Sequence, residues 1–204
     1  KDMGYCLDKE PQVKHVSVKE VLLPFDKLPG ADPVLGPEMK STGEVMGIDY
    51  DYGRAFFKAQ LSADNLLPLT GKVFMSIRGA DREQLVEVAR ILKNAGIELI
   101  GTDGTAEYLA EHGIKMDIIK KVREGSPNVI DMMRRNEVSL VINTPINKQA
   151  RKDGYRIRRA AVDFKIPYIT TIQAAIAAAR AIEAMKAGEM ITKSINEYHR
   201  EILN

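Results

Sequence analysis

The chain has 204 residues, 45% of them apolar, with 30 basic against 28 acidic side chains, a formal charge of +2 and a single cysteine, Cys6. That length and apolar share can bury a sizeable core and favour one full domain with an appendage. One cysteine excludes an internal disulfide, and the three scattered histidines (His15, His112, His199) lack metal-ligand spacing. The small net charge gives no whole-molecule footprint for nucleic acid. No run of eighteen apolar residues occurs, and "KDMGYCLDKEPQVKHV" lacks the apolar stretch of a secretion signal, so a cytoplasmic chain without membrane association is expected.

Residues 1–69 are turn-rich. The piece "LPFDKLPGADPVLGPEMKSTGEVMG" carries prolines at 24, 29, 33 and 37, which break helices and strands and predict an irregular, extended segment. A short helix follows in "YGRAFFKAQLSA", where Ala55, Phe56, Ala59 and Gln60 fall at helical spacing. This first third reads as the tail of something larger, with a second unit over 70–204. From "TGKVFMSIRG" onward, short β-rich runs alternate with amphipathic helices. Strands are predicted at 72–77, 97–102, 114–119, 140–143 and 168–171, and helices at 82–94, 106–112, 128–136, 155–164 and 172–187. In the first of these helices Leu85, Val88, Ala89 and Leu92 form one apolar stripe. Strands separated by helices imply parallel crossovers, hence an α/β domain with a parallel five-stranded sheet covered on both faces.

In such sheets ligands bind beyond the carboxyl ends of the strands. The loops there read "SIRGADR", "GTDGTA", "KKVREGSP" and "NTPINKQ". Within "LIGTDGTAEYLAEHG", two readings stand side by side. Thr102 or Asp103 caps a helix and nothing binds, which is the commoner case for an isolated Gly-Thr motif. Alternatively, unpaired N–H groups at a helix start near Gly104, with hydroxyls from Thr102 and Thr105 and close approach at Gly101 and Gly104, cradle an anion. Arg82 in the first turn of its helix opposes the dipole, and Lys121 follows another strand, so both suit an anionic partner. Charge-assisted hydrogen bonds contribute about 1.5–3 kcal/mol each, enough for two cations and two threonines to hold a phosphate.

Asn143 at a strand end is placed to hydrogen-bond a sugar hydroxyl. The basic run "KQARKDGYRIRR", with Arg151, Lys152, Arg158 and Arg159, reads as a solvated helix face, since only Tyr155 interleaves an aromatic ring. Asp103, Glu124 and Asp131 are acid/base candidates in principle, but no Walker loop, GxGxxG, nucleophile elbow or metal carboxylate cluster accompanies them. The residues favour a binding module over an enzyme.

The string "VSVKEVLLPFDKLPGADPVLGPEMKSTGEVMGID" resembles the close of the second ATP-grasp half of the carbamoyl-phosphate synthetase large subunit. Residues from about 70 onward are similar to that family's regulatory domain, of methylglyoxal-synthase-like, Rossmann-like fold. The resemblance implies an allosteric domain binding UMP or IMP. The parent would be an ATP-dependent ligase that makes carbamoyl phosphate from bicarbonate, ammonia or glutamine and ATP for pyrimidine and arginine biosynthesis. Matched residue by residue, the effector phosphate falls to Ser76, Arg82, Thr102, Thr105 and Lys121, the ribose to Asn143, and the base to Val122, Val129 and Ile157. Glu20, Tyr168 and Thr170 match positions for ornithine, whose other ligands are expected upstream of Lys1. No catalytic or metal residue and no cofactor is expected in this chain. ATP, magnesium or manganese, and potassium belong to the parent enzyme, and the partners implied are the rest of the large subunit and a glutaminase small subunit.

This sequence departs from the family pattern in two places: Arg82 replaces lysine, and Pro145 replaces a threonine, removing a hydroxyl donor. The urea-cycle branch, whose effector is N-acetylglutamate, has tryptophan where Lys121 stands, so a nucleotide phosphate is favoured here. Two alternatives remain. One is a methylglyoxal-synthase-like lyase acting on a triose phosphate, for which "EGSPNVIDMM" departs from the glycine-rich "GGDQ" run and leaves Asp131 a helix-surface residue. The other is a docking module exposing Val21, Leu22, Leu23 and Phe25.

Overall fold

A computed structural model describes residues 12–144 and 150–203. Cys6 and Pro145, with the rest of 145–149, lie outside the described residues. The elements in chain order are β1 (Val16–Leu22), β2 (Gly43–Asp49), α1 (Tyr52–Ser62), β3 (Lys72–Ser76), α2 (Arg82–Asn94), β4 (Glu98–Gly101), α3 (Asp103–Glu111), β5 (Asp117–Ile118), α4 (Val129–Arg134), β6 (Leu140–Asn143), α5 (Ala150–Asp163), β7 (Tyr168–Ile169), α6 (Ile172–Lys186) and α7 (Ile195–Leu203). β3 to β7 form one parallel sheet in the order β5-β4-β3-β6-β7. The predicted architecture is therefore present, with α2 and β6 at the expected bounds and α3 starting three residues earlier than expected, at Asp103.

Side-chain alternation across the sheet explains its apolar strands. Val73, Met75, Leu99, Leu140 and Ile142 join one cluster with α2, α6 and Leu109 of α3. Phe74, Ile100 and Val141 point the other way, into a cluster with Met133 of α4 and Ala161 of α5. Both faces are thus sealed, and polar side chains are left to the strand ends.

The first third is more ordered than its prolines suggest. β1 and β2 pair antiparallel, from Val16 opposite Asp49 to Leu22 opposite Gly43, and the proline-rich piece is the long connection between them. Proline excludes strand only where it stands, and "VSVKEVL" and "GEVMGID" flank the prolines. Phe25 is buried rather than exposed, and Val21, Leu22 and Leu23 are half-buried. Phe57 of α1 and Leu67 belong to the same apolar cluster as α6, so the expected break near residue 70 falls inside a shared core.

The basic face of α5 also departs from expectation. Arg158 is 1% exposed, and Arg159 donates to the carbonyls of Phe25 (3.0 Å) and Leu28 (3.2 Å) and to Asp163. Gly154, Ile157, Arg158 and Ala161 share one face of the helix, so Arg158 lies on the buried stripe despite its charge. The unpredicted α7 begins at a reciprocal cap, in which Glu197 accepts from the Ser194 N–H (2.6 Å) and the Ser194 hydroxyl accepts from the Glu197 N–H (3.3 Å). It docks through the Tyr198 hydroxyl on the Ile48 carbonyl (3.1 Å). No helix among the described residues is long and apolar enough to cross a membrane.

Gly47 lets β2 lie directly on α1, because a Cβ there would run into the Ala55 carbonyl oxygen and the Ala59 nitrogen. A Gly47→Ala substitution should cost about 1–3 kcal/mol by overpacking. Gly79→Ala, with open space around its would-be Cβ, should change little. Thermal midpoints by circular dichroism check this, with roughly 3 °C lost per kcal/mol for a chain of this size. Equal midpoints for both variants would contradict the packing described.

Candidate functional site

The parallel sheet gathers three strand ends. Met75 of β3 pairs with Gly101 of β4, and Ser76 pairs with Asn143 of β6, so Thr102, Ser76 and Asn143 stand in a row at the carboxyl edge. α3 begins at once from Thr102, which has extended backbone and occupies the cap position. Its hydroxyl makes no capping bond and lies 3.4 Å from that of Thr105, one turn on. Capping alone therefore does not account for the two threonines. The structure corrects the expected role of Gly101, whose would-be Cβ meets the Met75 carbonyl oxygen and the Met116 side chain, so its bareness serves strand packing.

Two cations converge on the first turn of α3. Arg82 reaches across from the start of α2 until its Nη2 lies 3.3 Å from where a Cβ on Gly104 would be, with its guanidinium carbon 5.6 Å from the Tyr108 ring centroid. Its Nε is buried without a hydrogen-bond partner among the described residues. A buried, unpaired guanidinium N–H beside a helix N-terminus concentrates positive potential, which an anion would neutralise. Lys121 arrives from the loop after β5, and its Nζ donates to Asp103 (2.9 Å) and lies 3.5 Å from Glu124. The bond from Lys121 holds the Asp103 carboxyl below the usual aspartate range, and Asp103 in turn holds the Lys121 ammonium above its ordinary value.

The remaining predicted residues are spread more widely. Asn143 is buried, its Oδ1 accepts from Arg158 (2.8 Å) and its Nδ2 donates to the Ser76 carbonyl (3.4 Å). Val122, Val129 and Ile157 lie within the apolar cluster with Phe74 and Ile100, so they offer little surface to a base. Glu20 on β1 accepts from Gln60 of α1 (2.5 Å), and burial raises its pKa. Tyr168 stands on β7, where burial pushes its phenol up to about 12, and Thr170 follows half-buried. Asp131 accepts from the Asn128 N–H (3.0 Å) in the cap of α4, a structural use of the carboxylate. Hollows of 290 Å³ between α4 and α5 and 430 Å³ between α1 and α6 are not lined by the strand-end residues.

Sequence reasoning missed two arrangements here. Arg78 donates its backbone N–H to the Thr144 hydroxyl (2.9 Å) and its Nε to Asp81 (2.6 Å), fixing the loop after β3. Asp32 pairs with Arg158 at 2.7 Å, although 126 residues separate them. The burial of Arg158 overturns the solvated face expected of the basic run, although its register with Gly154, Ile157 and Ala161 on α5 carries the signal. Among the described residues no group of His, Cys, Asp and Glu could hold a metal ion.

A doubly covered parallel sheet with a polar carboxyl edge defines a Rossmann-like α/β domain. Residues 84–170 match the family model described as the MGS-like domain. Nearly the whole chain is similar to carbamoyl phosphate synthase large chains. The one from Methanosarcina mazei is 74% identical over 203 residues, 99% of this chain and 19% of that protein. The Methanosarcina acetivorans protein is 75% identical with the same coverage, and one from Methanosarcina barkeri is 73% identical over 99% of this chain and 50% of its own length. The chain thus spans about a fifth of the length of the first two relatives.

The Asp103–Lys121 pair is partly exposed, so Asp103→Asn should change stability by no more than about 1 kcal/mol at pH 7. Because the folded pKa of Asp103 lies below 3.8, any stabilisation is present above that value and is lost as pH falls through the lowered one. Urea unfolding of both proteins at pH 7 and below pH 3.8 checks this, and a difference that grows on acidification would contradict it.

Proposed function

We propose that this chain is the effector-binding part of a carbamoyl phosphate synthase large chain, and that the carboxyl edge of its sheet captures the phosphate of a nucleotide such as UMP or IMP. The observation that carries the reading is the meeting of Arg82, Lys121, Thr102 and Thr105 at the first turn of α3, with the Arg82 Nε buried and without a partner among the described residues. Ser76 at the neighbouring strand end completes the polar edge, and Asn143, whose Oδ1 is occupied by Arg158, has only its N–H₂ to offer a ribose oxygen. The chain itself performs no chemistry in this reading. The longer protein would make carbamoyl phosphate in the cytoplasm, working with the remainder of the large chain and a glutaminase subunit.

Asp103 has a specific part. With no anion present it neutralises Lys121, which keeps the ammonium in place without leaving it unpaired. A phosphate must compete for that ammonium, so affinity is moderated by an internal carboxylate.

Calorimetry with UMP and IMP tests the proposal. Lys121→Met should weaken binding by at least about ten-fold, since a charge-assisted bond contributes roughly 1.5–3 kcal/mol. Asp103→Asn should tighten it, and added salt should weaken it. No heat from either nucleotide at millimolar concentration, or methylglyoxal formed from dihydroxyacetone phosphate, would overturn the reading.

A further inference from the structure

Arg158 is an arginine with 1% of its side chain exposed, yet it faces two separated parts of the molecule. Its Nη1 donates to Asn143 Oδ1 (2.8 Å) at the carboxyl edge of the sheet. Its Nε (3.0 Å) and Nη2 (2.7 Å) grip both oxygens of Asp32 in the connection between β1 and β2. Burying a guanidinium is strongly unfavourable unless its donors are met, so Asn143 and Asp32 are both held to it. Burial raises the Asp32 pKa, but the bonds from Arg158 and from the Val34 N–H outweigh this and keep it low.

The helix is shaped around this contact. A Cβ on Gly154 would lie 2.8 Å from Arg158 Nη1 and 3.1 Å from Asn143 Oδ1. Glycine inside a helix is disfavoured relative to alanine, and here it leaves room for the guanidinium. The same helix holds the connection at further points: Tyr155 donates its hydroxyl to the Gly30 carbonyl (3.1 Å), and Arg159 holds the carbonyls of Phe25 and Leu28. Between residues 26 and 40 the connection buries only Pro33, so α5 side chains supply much of its attachment. Segments so held open at low free energy.

We propose that Arg158 is a positioning residue that couples occupancy of the carboxyl-edge site to the conformation of the β1–β2 connection, around Asp32. This rests on the nucleotide reading of that site. Arg158 fixes the Asn143 amide, whose Nδ2 donates to the carbonyl of Ser76 at the end of β3. A ligand that pulls on this amide loads the guanidinium, and the load passes to the Asp32 carboxylate. The coupling is reciprocal, so disturbing Asp32 alters ligand affinity without touching the ligand.

The test uses the 204-residue chain as wild type, Asp32→Asn, Asp32→Glu and Gly154→Ala. Each is followed with and without UMP by amide hydrogen exchange, with UMP affinity from calorimetry and the Asn143 side-chain amide signal from NMR. UMP should slow exchange over residues 25–34 in the wild type. Asp32→Asn should bind UMP about five-fold or more weakly and lose that protection, with Asp32→Glu restoring part of both. A purely structural Asp32 would lower the thermal midpoint and leave affinity unchanged, which overturns the proposal. If UMP binds the wild type but leaves 25–34 unprotected, the coupling is overturned and the site reading stands. If UMP does not bind at all, the site reading fails and the ligand-free NMR decides: an Asn143 amide signal moved by both Asp32→Asn and Gly154→Ala supports the bridge, and an unmoved one overturns it.

Discussion

Parallel pairing on both sides of β3 is the constraint from which the rest follows. The chain leaves β3 toward β4 and β5, then returns to its other flank for β6 and β7. Crossover helices occupy both faces, so polar groups are left to the strand ends, and the carboxyl edge carries Ser76, Thr102 and Asn143. Gly101 permits the β3–β4 approach, and it sets Thr102 one step beyond the sheet, where α3 must begin. The position of the two threonines is thus a consequence of strand packing rather than of an independent loop structure.

Charge around that edge is arranged unevenly. Lys121 has an internal carboxylate partner, Asp103, while the buried Nε of Arg82 has none among the described residues. On the far side of the sheet the reverse holds, because Arg158 is fully engaged between Asn143 and Asp32. One guanidinium is therefore bonded on all three nitrogens within the fold, and the other keeps a buried N–H with no partner among the described residues.

Much of this was legible in the sequence where a single element carried the information. The stripe Leu85, Val88, Ala89 and Leu92 placed α2 to the residue, and alternation of strand and helix gave the parallel sheet. "SINE" at 194–197 is a capping signature that marks α7, although no helix was read there. What escaped depended on partners distant along the chain. No local pattern ties Asp32 to Arg158, and a run of arginines looks solvated until its register on α5 is compared with Gly154, Ile157 and Ala161. Nor does the sequence show that Val122, Val129 and Ile157 are buried in the cluster with Phe74 and Ile100.

The most direct measurement is an amide-resolved NMR titration of the isotopically labelled chain with UMP. The expected result is saturable shifts centred on Ser76 and on Thr102 through Thr105, at the carboxyl edge of β3 and β4. Shifts centred instead on Ile130, Arg134 and Arg156, in the hollow between α4 and α5, would contradict the assignment of the site.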